Sequence, residues 1–338
     1  MDEGLNTFCQ FLAEQEWQRD FPSGRGPARN IVGYMKADKS VQNPIMTNSE
    51  SILQFGNNAY AKPATALNIL RETVMGRELF DFAFREYARR WAFKHPTPYD
   101  LFRTMEDASG VDLDWFWRGW FFTTDNVDIS LDAVTEFRMD TKNPAIEKPL
   151  ASKKSKDQLE RDVTYQNNKR DLAATAVERN EALKDFYNSY DPNAPAPSDR
   201  ERYEKYLASL SPKEKAIIEA NKNYYQLDFS NQGGLVMPLI IKFEFEDGTS
   251  ETQRIPAEIW RMDDKKISKV FAFAKPVKQV ILDPQEETAD VNTENNYYPR
   301  RPIPSRFEVF KQEGFTRGAS MGSNPMQQAQ QQKKTGSN

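Results

Sequence analysis

"GRELFDFAFREYARRWAFKHPTPYDLFRTMEDASGVDLDWFWRGWF" (residues 76–121) is the stretch on which the fold turns. Apolar residues recur three and four apart at Leu79, Ala83, Tyr87 and Trp91, the spacing of a helix with one buried face. Gly76 closes the helix before it. Thr97-Pro98-Tyr99-Asp100 opens the helix after it, with Thr97 as N-cap, Pro98 in the first position and Asp100 in the third. The segment then runs into "DWFWRGWFF" (residues 114–122), three Trp and three Phe in nine residues. Its neighbours are also apolar and patterned, so it reads as an aromatic anchor of a core rather than a platform for stacking a ligand.

The same period extends toward the N-terminus, at Leu67, Leu70 and Val74 and again at Leu5, Phe8, Cys9 and Leu12. On that last face Cys9, the one cysteine of the chain, reads as a small buried apolar residue. Beyond Thr123 the period changes. "NVDISLDAVTEFRMD" (126–140) alternates apolar and polar residues as a half-buried strand does. Alternation returns at Leu239, Ile241, Phe243 and Phe245, and Asp247-Gly248 between two such runs is a hairpin signal. "KISKVFAFAKPVKQVILDP" adds two more short strands, so a small antiparallel sheet or sandwich follows the helices.

Between its first strand and the rest lies a long segment rich in Lys, Glu, Asp, Asn and Gln. Helix starts are read there at Ser198-x-x-Glu201 and Ser211-Pro212-x-Glu214. Acids and bases are interspersed in it, the mark of a solvated face and not of a nucleic-acid site. The end of the chain, "GASMGSNPMQQAQQQKKTGSN", has almost nothing to bury and is expected to be disordered.

The sequence therefore predicts a multidomain α+β protein. Residues 1–125 are a helical domain, 126–142 and 226–290 a small antiparallel β domain, 143–225 a charged helical insertion, and 291–338 an extended, largely disordered tail. With 46 basic against 50 acidic residues the net charge is −4, which gives no general pull toward nucleic acid or an anionic membrane. No apolar run approaches the ~18 residues of a membrane span, and no charged-then-apolar leader is present in these residues.

Four residues come into question for chemistry. Glu3 stands in the first turn of a helix, with Asn6 and Thr7 along the same polar edge; from the residues alone it reads as an acid favoured by the helix N-terminus. Tyr60, in "AYAKPATAL", precedes Pro63, which suits the first turn of a helix and would hold the preceding loop in one shape. The only histidine, His95, sits before a proline in a loop-like segment and reads as a loop residue rather than a ligand. Lys62 is assigned a structural or solvated role.

"DEGLNTF" (2–8), "AYAKPATAL" (59–67) and the stretch 76–121 together resemble, in order, the end of the catalytic domain of the M1 family of zinc aminopeptidases, the gluzincins. The resemblance covers roughly the first 125 residues. It implies the helical C-terminal half of a thermolysin-like catalytic domain, removal of N-terminal residues from peptide substrates, and a Zn2+ cofactor. Glu3 then matches the zinc-binding glutamate and Tyr60 the tyrosine whose hydroxyl stabilises the oxyanion. Catalytic zinc takes three protein ligands and an open position for water.

The family's His-Glu-x-x-His helix, with two ligands and the general base, lies upstream of the Asp-Glu-Gly step, and only Met1 and Asp2 precede Glu3 here. The family's Gly-x-Met-Glu-Asn element is absent as well. The resemblance thus implies a C-terminal portion whose partner is the missing N-terminal half of the catalytic domain, inactive and without retained zinc when alone. It also suggests a parent protein that is extracytoplasmic, in the periplasm or cell envelope. A non-catalytic binding protein on the same scaffold, and one half of a split enzyme, are the alternatives. Leu5, Phe8, Phe11 and Leu12 would then form a bare apolar face, and the isolated chain is expected to associate or express poorly.

Overall fold

The computed structural model describes residues 1–172, 174–220 and 222–301. The expected disordered tail beyond residue 301 lies outside the described residues. Five main helices build the N-terminal part: α1 (Asp2–Trp17), α2 (Lys62–Ile69), α3 (Arg77–Trp91), α4 (Pro98–Ser109) and α5 (Asp114–Phe122). Wider π-type turns, Gly56–Ala61 and Leu70–Val74, run directly into and out of α2. Gly76, at φ +79°, separates α3 from what precedes it. Helix α4 starts as its sequence requires: the Asp100 carboxylate accepts from the Thr97 backbone N–H at 2.7 Å, with Pro98 in the first turn.

Helix α1 does not carry a bare apolar face. Phe8 is wholly buried, edge-on to Phe80 at 5.5 Å and Phe84 at 5.7 Å, while Leu5 and Leu12 pack partly against the same core. Helices α2 and α3 of this chain cover the face that the sequence reading left open. Cys9 is exposed, contrary to its assignment to that face. The buried face of α1 centres on Gly4, Thr7 and Phe8, and a residue one step beyond Phe8 is rotated about 100° away from it.

Seven strands follow: β1 (Ile129–Arg138), β2 (Asn223–Asn231), β3 (Leu239–Phe245), β4 (Ser250–Ile255), β5 (Lys266–Phe273), β6 (Val277–Leu282) and β7 (Tyr297–Tyr298). They form two small antiparallel sheets, ordered β1-β2-β5 and β4-β3-β6-β7. The sheets face each other through aromatic rings. Phe243 of β3 lies 5.0 Å from Phe271 and 4.6 Å from Phe273, both on β5. Asp247-Gly248 turns the β3–β4 hairpin, with Gly248 at φ +82°.

Two boundaries differ from the sequence reading. Strand β2 starts at Asn223, and Tyr225, Leu227 and Phe229 point inward in alternation, so the insertion ends before residue 223. Residues 291–298 are folded, as a short 3-10 turn at Thr293–Asn296 and strand β7 paired with β6. Within the insertion, the helix expected at Ser198 starts at Pro197 instead, where the Asp199 carboxylate accepts from Ala196 N–H at 3.0 Å. The Ser211/Glu214 capping box forms as read.

Core residues run without interruption from the helices into the sheets. Phe116, Trp117, Trp120 and Phe121 are buried and anchor α5, and a Cβ on Gly119 would meet Leu235 Cδ2 at 2.8 Å. That contact brings α5 down on the segment preceding β3. Two parallel bridges, Asn126 to Gly234 and Val127 to Asp290, close the junction.

Candidate functional site

The site starts from a glycine. Gly4 is buried in the first turn of α1, and a Cβ there would lie 2.3 Å from Pro63 Cγ and 3.2 Å from the Ala59 carbonyl oxygen. Only a residue without a side chain lets α1 approach the start of α2 this closely. The preceding residue, Glu3, is thereby set against Tyr60 on the π-type turn that leads into α2. Thr7 Oγ1 donates to the Glu3 carbonyl at 2.7 Å and fixes the turn that carries it.

Glu3 and Tyr60 are each half-buried. Hydrogen bonding to the Glu3 carboxylate, then burial and the carboxylate's charge, push the Tyr60 phenol above its ordinary pKa; Asp2 adds to this and Arg25 opposes it. The Arg25 guanidinium carbon stands 4.8 Å from the Tyr60 ring centroid, within cation–π range. Phe55 lies edge-on at 5.9 Å. The two residues singled out in the sequence therefore meet, and the pair offers a carboxylate acceptor beside a phenol donor.

Lys62, two residues on, takes the structural of its two alternatives. It is 2% exposed, and its Nζ donates to the Thr123 carbonyl at 3.1 Å. Lys39 donates to the next carbonyl, Thr124, at 2.7 Å and to Met35 at 2.8 Å. Both cations serve the C-terminal end of α5, where carbonyl groups lack partners and the helix dipole is negative. Burial, with repulsion from Lys39 second and attraction to Asp125 opposing both, brings the Lys62 pKa down to about 8.

The other candidates lie elsewhere. His95 is exposed between α3 and α4, and exposed Cys9 on α1 faces away from the buried side of the helix. Among the described residues no three His, Cys, Asp or Glu side chains come together as a metal site. A catalytic zinc needs three protein ligands. Glu3 is one carboxylate, so the described residues by themselves do not fit that metal.

A separate open cleft of about 870 Å³ lies where α4 and α5 meet the 257–264 segment, with Tyr99, Trp115, Phe122 and Trp260 among its lining. Its charges are of both signs, Arg103 and Arg261 beside Glu106 and Asp264. Sequence reasoning missed Arg25; the signal was the Gly24-Arg25-Gly26 step, whose second glycine holds φ +114° over the Phe11 ring.

No protein-family model matches the chain, and no curated protein matches it either.

Proposed function

We propose that residues 1–125 are the C-terminal helical part of an M1-type zinc aminopeptidase catalytic domain, and that the reaction served is removal of N-terminal residues from peptides. The observation that supports this reading is the placement of the Glu3 carboxylate against the Tyr60 hydroxyl, brought about by the close approach of Gly4 to Pro63. A phenol held beside a carboxylate can donate to an oxyanion as it develops on a peptide carbonyl, and such a donor acts in the transition state more than in the ground state. Glu3 would supply one metal ligand. Two histidines and a general base must come from residues other than those described, and no chemical step is assigned to this chain alone.

The alternative is a non-catalytic interaction protein on the aminopeptidase scaffold. Reading the frame upstream of the Met1 codon, and expressing what it encodes in continuity with this chain, separates the two. One zinc per molecule, with hydrolysis of an amino-acid anilide that falls about a hundredfold or more in Glu3→Gln and in Tyr60→Phe, supports the enzyme. An in-frame stop, with no histidine-bearing chain co-purifying and no zinc bound, supports the interaction protein.

A further inference from the structure

We propose that the open cleft between α4, α5 and the 257–264 segment is a docking groove for residues 307–315 of this same chain, the stretch "FEVFKQEGF" that follows the last described strand. The cleft is suited to apolar side chains. Its floor is fixed: Phe102 stacks on Trp117 at 4.6 Å, and the Trp260 indole N–H donates to the Met237 carbonyl at 2.9 Å. Above that floor two rings stand open, Tyr99 at 56% and Phe122 at 39% exposure, with 6.3 Å between their centroids. Adjacent exposed rings on a rigid aromatic floor make a surface that gains by being covered.

Composition, charge and reach select the occupant. Phe307, Phe310 and Phe315 fall within nine residues, and Arg306, Lys311 and Arg317 against Glu308 and Glu313 leave the surrounding stretch positive. The groove is the complement, with five acids to three arginines on its rim. Reach follows from strand register. Arg300, next to the end of the described chain, donates from Nη2 to the Leu131 carbonyl at 2.9 Å. Leu131 pairs with Phe229 and Phe229 with Ile267, three residues after Asp264 on the rim. Two strand spacings and three residues of chain amount to about 20 Å. About six extended residues cover that distance, which brings Phe307 to the groove; Pro302 and Pro304 between them favour an extended chain.

The docking is independent of the aminopeptidase reading and is tested on the full chain. With p-benzoylphenylalanine in place of Phe310, ultraviolet light is expected to join position 310 to peptides holding Tyr99, Trp115 or residues 257–264, on a band of monomer mass. Trypsin is expected to cut after Lys311 about fivefold or more slowly in the chain than in a synthetic peptide of residues 301–317, because only the undocked fraction is cut. Phe307→Ser combined with Phe310→Ser leaves the described core untouched and should abolish that protection. Tyr99→Ala in the groove should do the same, read well below its melting midpoint. Crosslinks found only at dimer mass give the groove to a second copy and overturn the proposal. Absence of crosslinks to the groove, cleavage at the rate of the free peptide, or protection that survives both sets of substitutions overturns it as well.

Discussion

Gly4 and Pro63 stand so near each other that a methyl group on the first would fall 2.3 Å from the ring of the second. Neither residue carries chemistry, yet their contact sets the spacing between Glu3 and Tyr60. Gly4→Ala forces α1 away from the start of α2 and should cost about 1–3 kcal/mol, the usual cost of overpacking a core. The parted carboxylate should also release the Tyr60 phenol toward its ordinary value. Urea denaturation and phenolate titration of the same variant check both. Unchanged stability would mean that the helices slide apart freely.

Lys62 ties stability to alkaline pH. Its folded pKa, about 8, lies below the ordinary 10.5, so between those values the unfolded chain binds the extra proton and stability rises with pH. Below pH 8 the burial penalty is present in full, on the order of 3 kcal/mol. Relative to Lys62→Met, the parent chain should gain stability from pH 8 to pH 10, as read from urea midpoints. Parallel curves would show that Nζ is not desolvated.

Asp290 acts in the opposite pH direction. It is buried at the junction, accepts from Ile129 N–H at 3.3 Å and from Asn292 N–H at 2.9 Å, and is pushed up to about 6, chiefly by burial with Asp128 adding to it. Between 3.8 and 6 the folded chain holds the extra proton, so this group's contribution to stability falls as pH rises through that window and stays low above it. Asp290→Asn keeps an acceptor oxygen and removes the charge. It should raise stability at pH 7 by up to about 3 kcal/mol and leave it nearly unchanged at pH 4. A variant destabilised equally at both values would mean that both carboxylate oxygens are needed as acceptors.

The insertion should be dispensable for folding. Arg138 at the end of β1 lies directly opposite Asn223 at the start of β2, so the intervening chain leaves and re-enters the sheet at one point. Replacing residues 139–222 by Asn-Gly, which suits a two-residue hairpin, should leave a cooperatively melting protein with near-UV circular dichroism like the parent's. Loss of that spectrum would assign the insertion a part in the core.

Much of this architecture is legible in the residues. The three-and-four spacing of α3, the Thr97-Pro98-Asp100 start of α4 and the Asp247-Gly248 turn are local signals that the fold obeys. Strand β2 was missed although Tyr225, Leu227 and Phe229 alternate, because the polar run before it masks where the alternation begins. Cys9 was misplaced because a stripe of residues four apart admits its neighbours, and only the packing of Phe8 shows where the face ends. Lys62 could not be assigned from its type. Its Nζ finds its partner in a carbonyl group 61 residues away, a tertiary demand that no local pattern records. Glu3 and Tyr60 were named from resemblance; that they meet depends on Gly4, whose role is visible only in three dimensions.

The pairing of β1 with β2 across the insertion also sets an order in time. At about 5–20 residues per second, a ribosome finishes β1 several seconds before β2 is available to pair with it. Asp290 and Asn295, which bond Ile129 and Asp128 at the start of β1, are made later still. The helices can collapse on one another while β1 waits as an open edge, so nascent β1 is exposed to chaperones and to mispairing with a neighbouring copy.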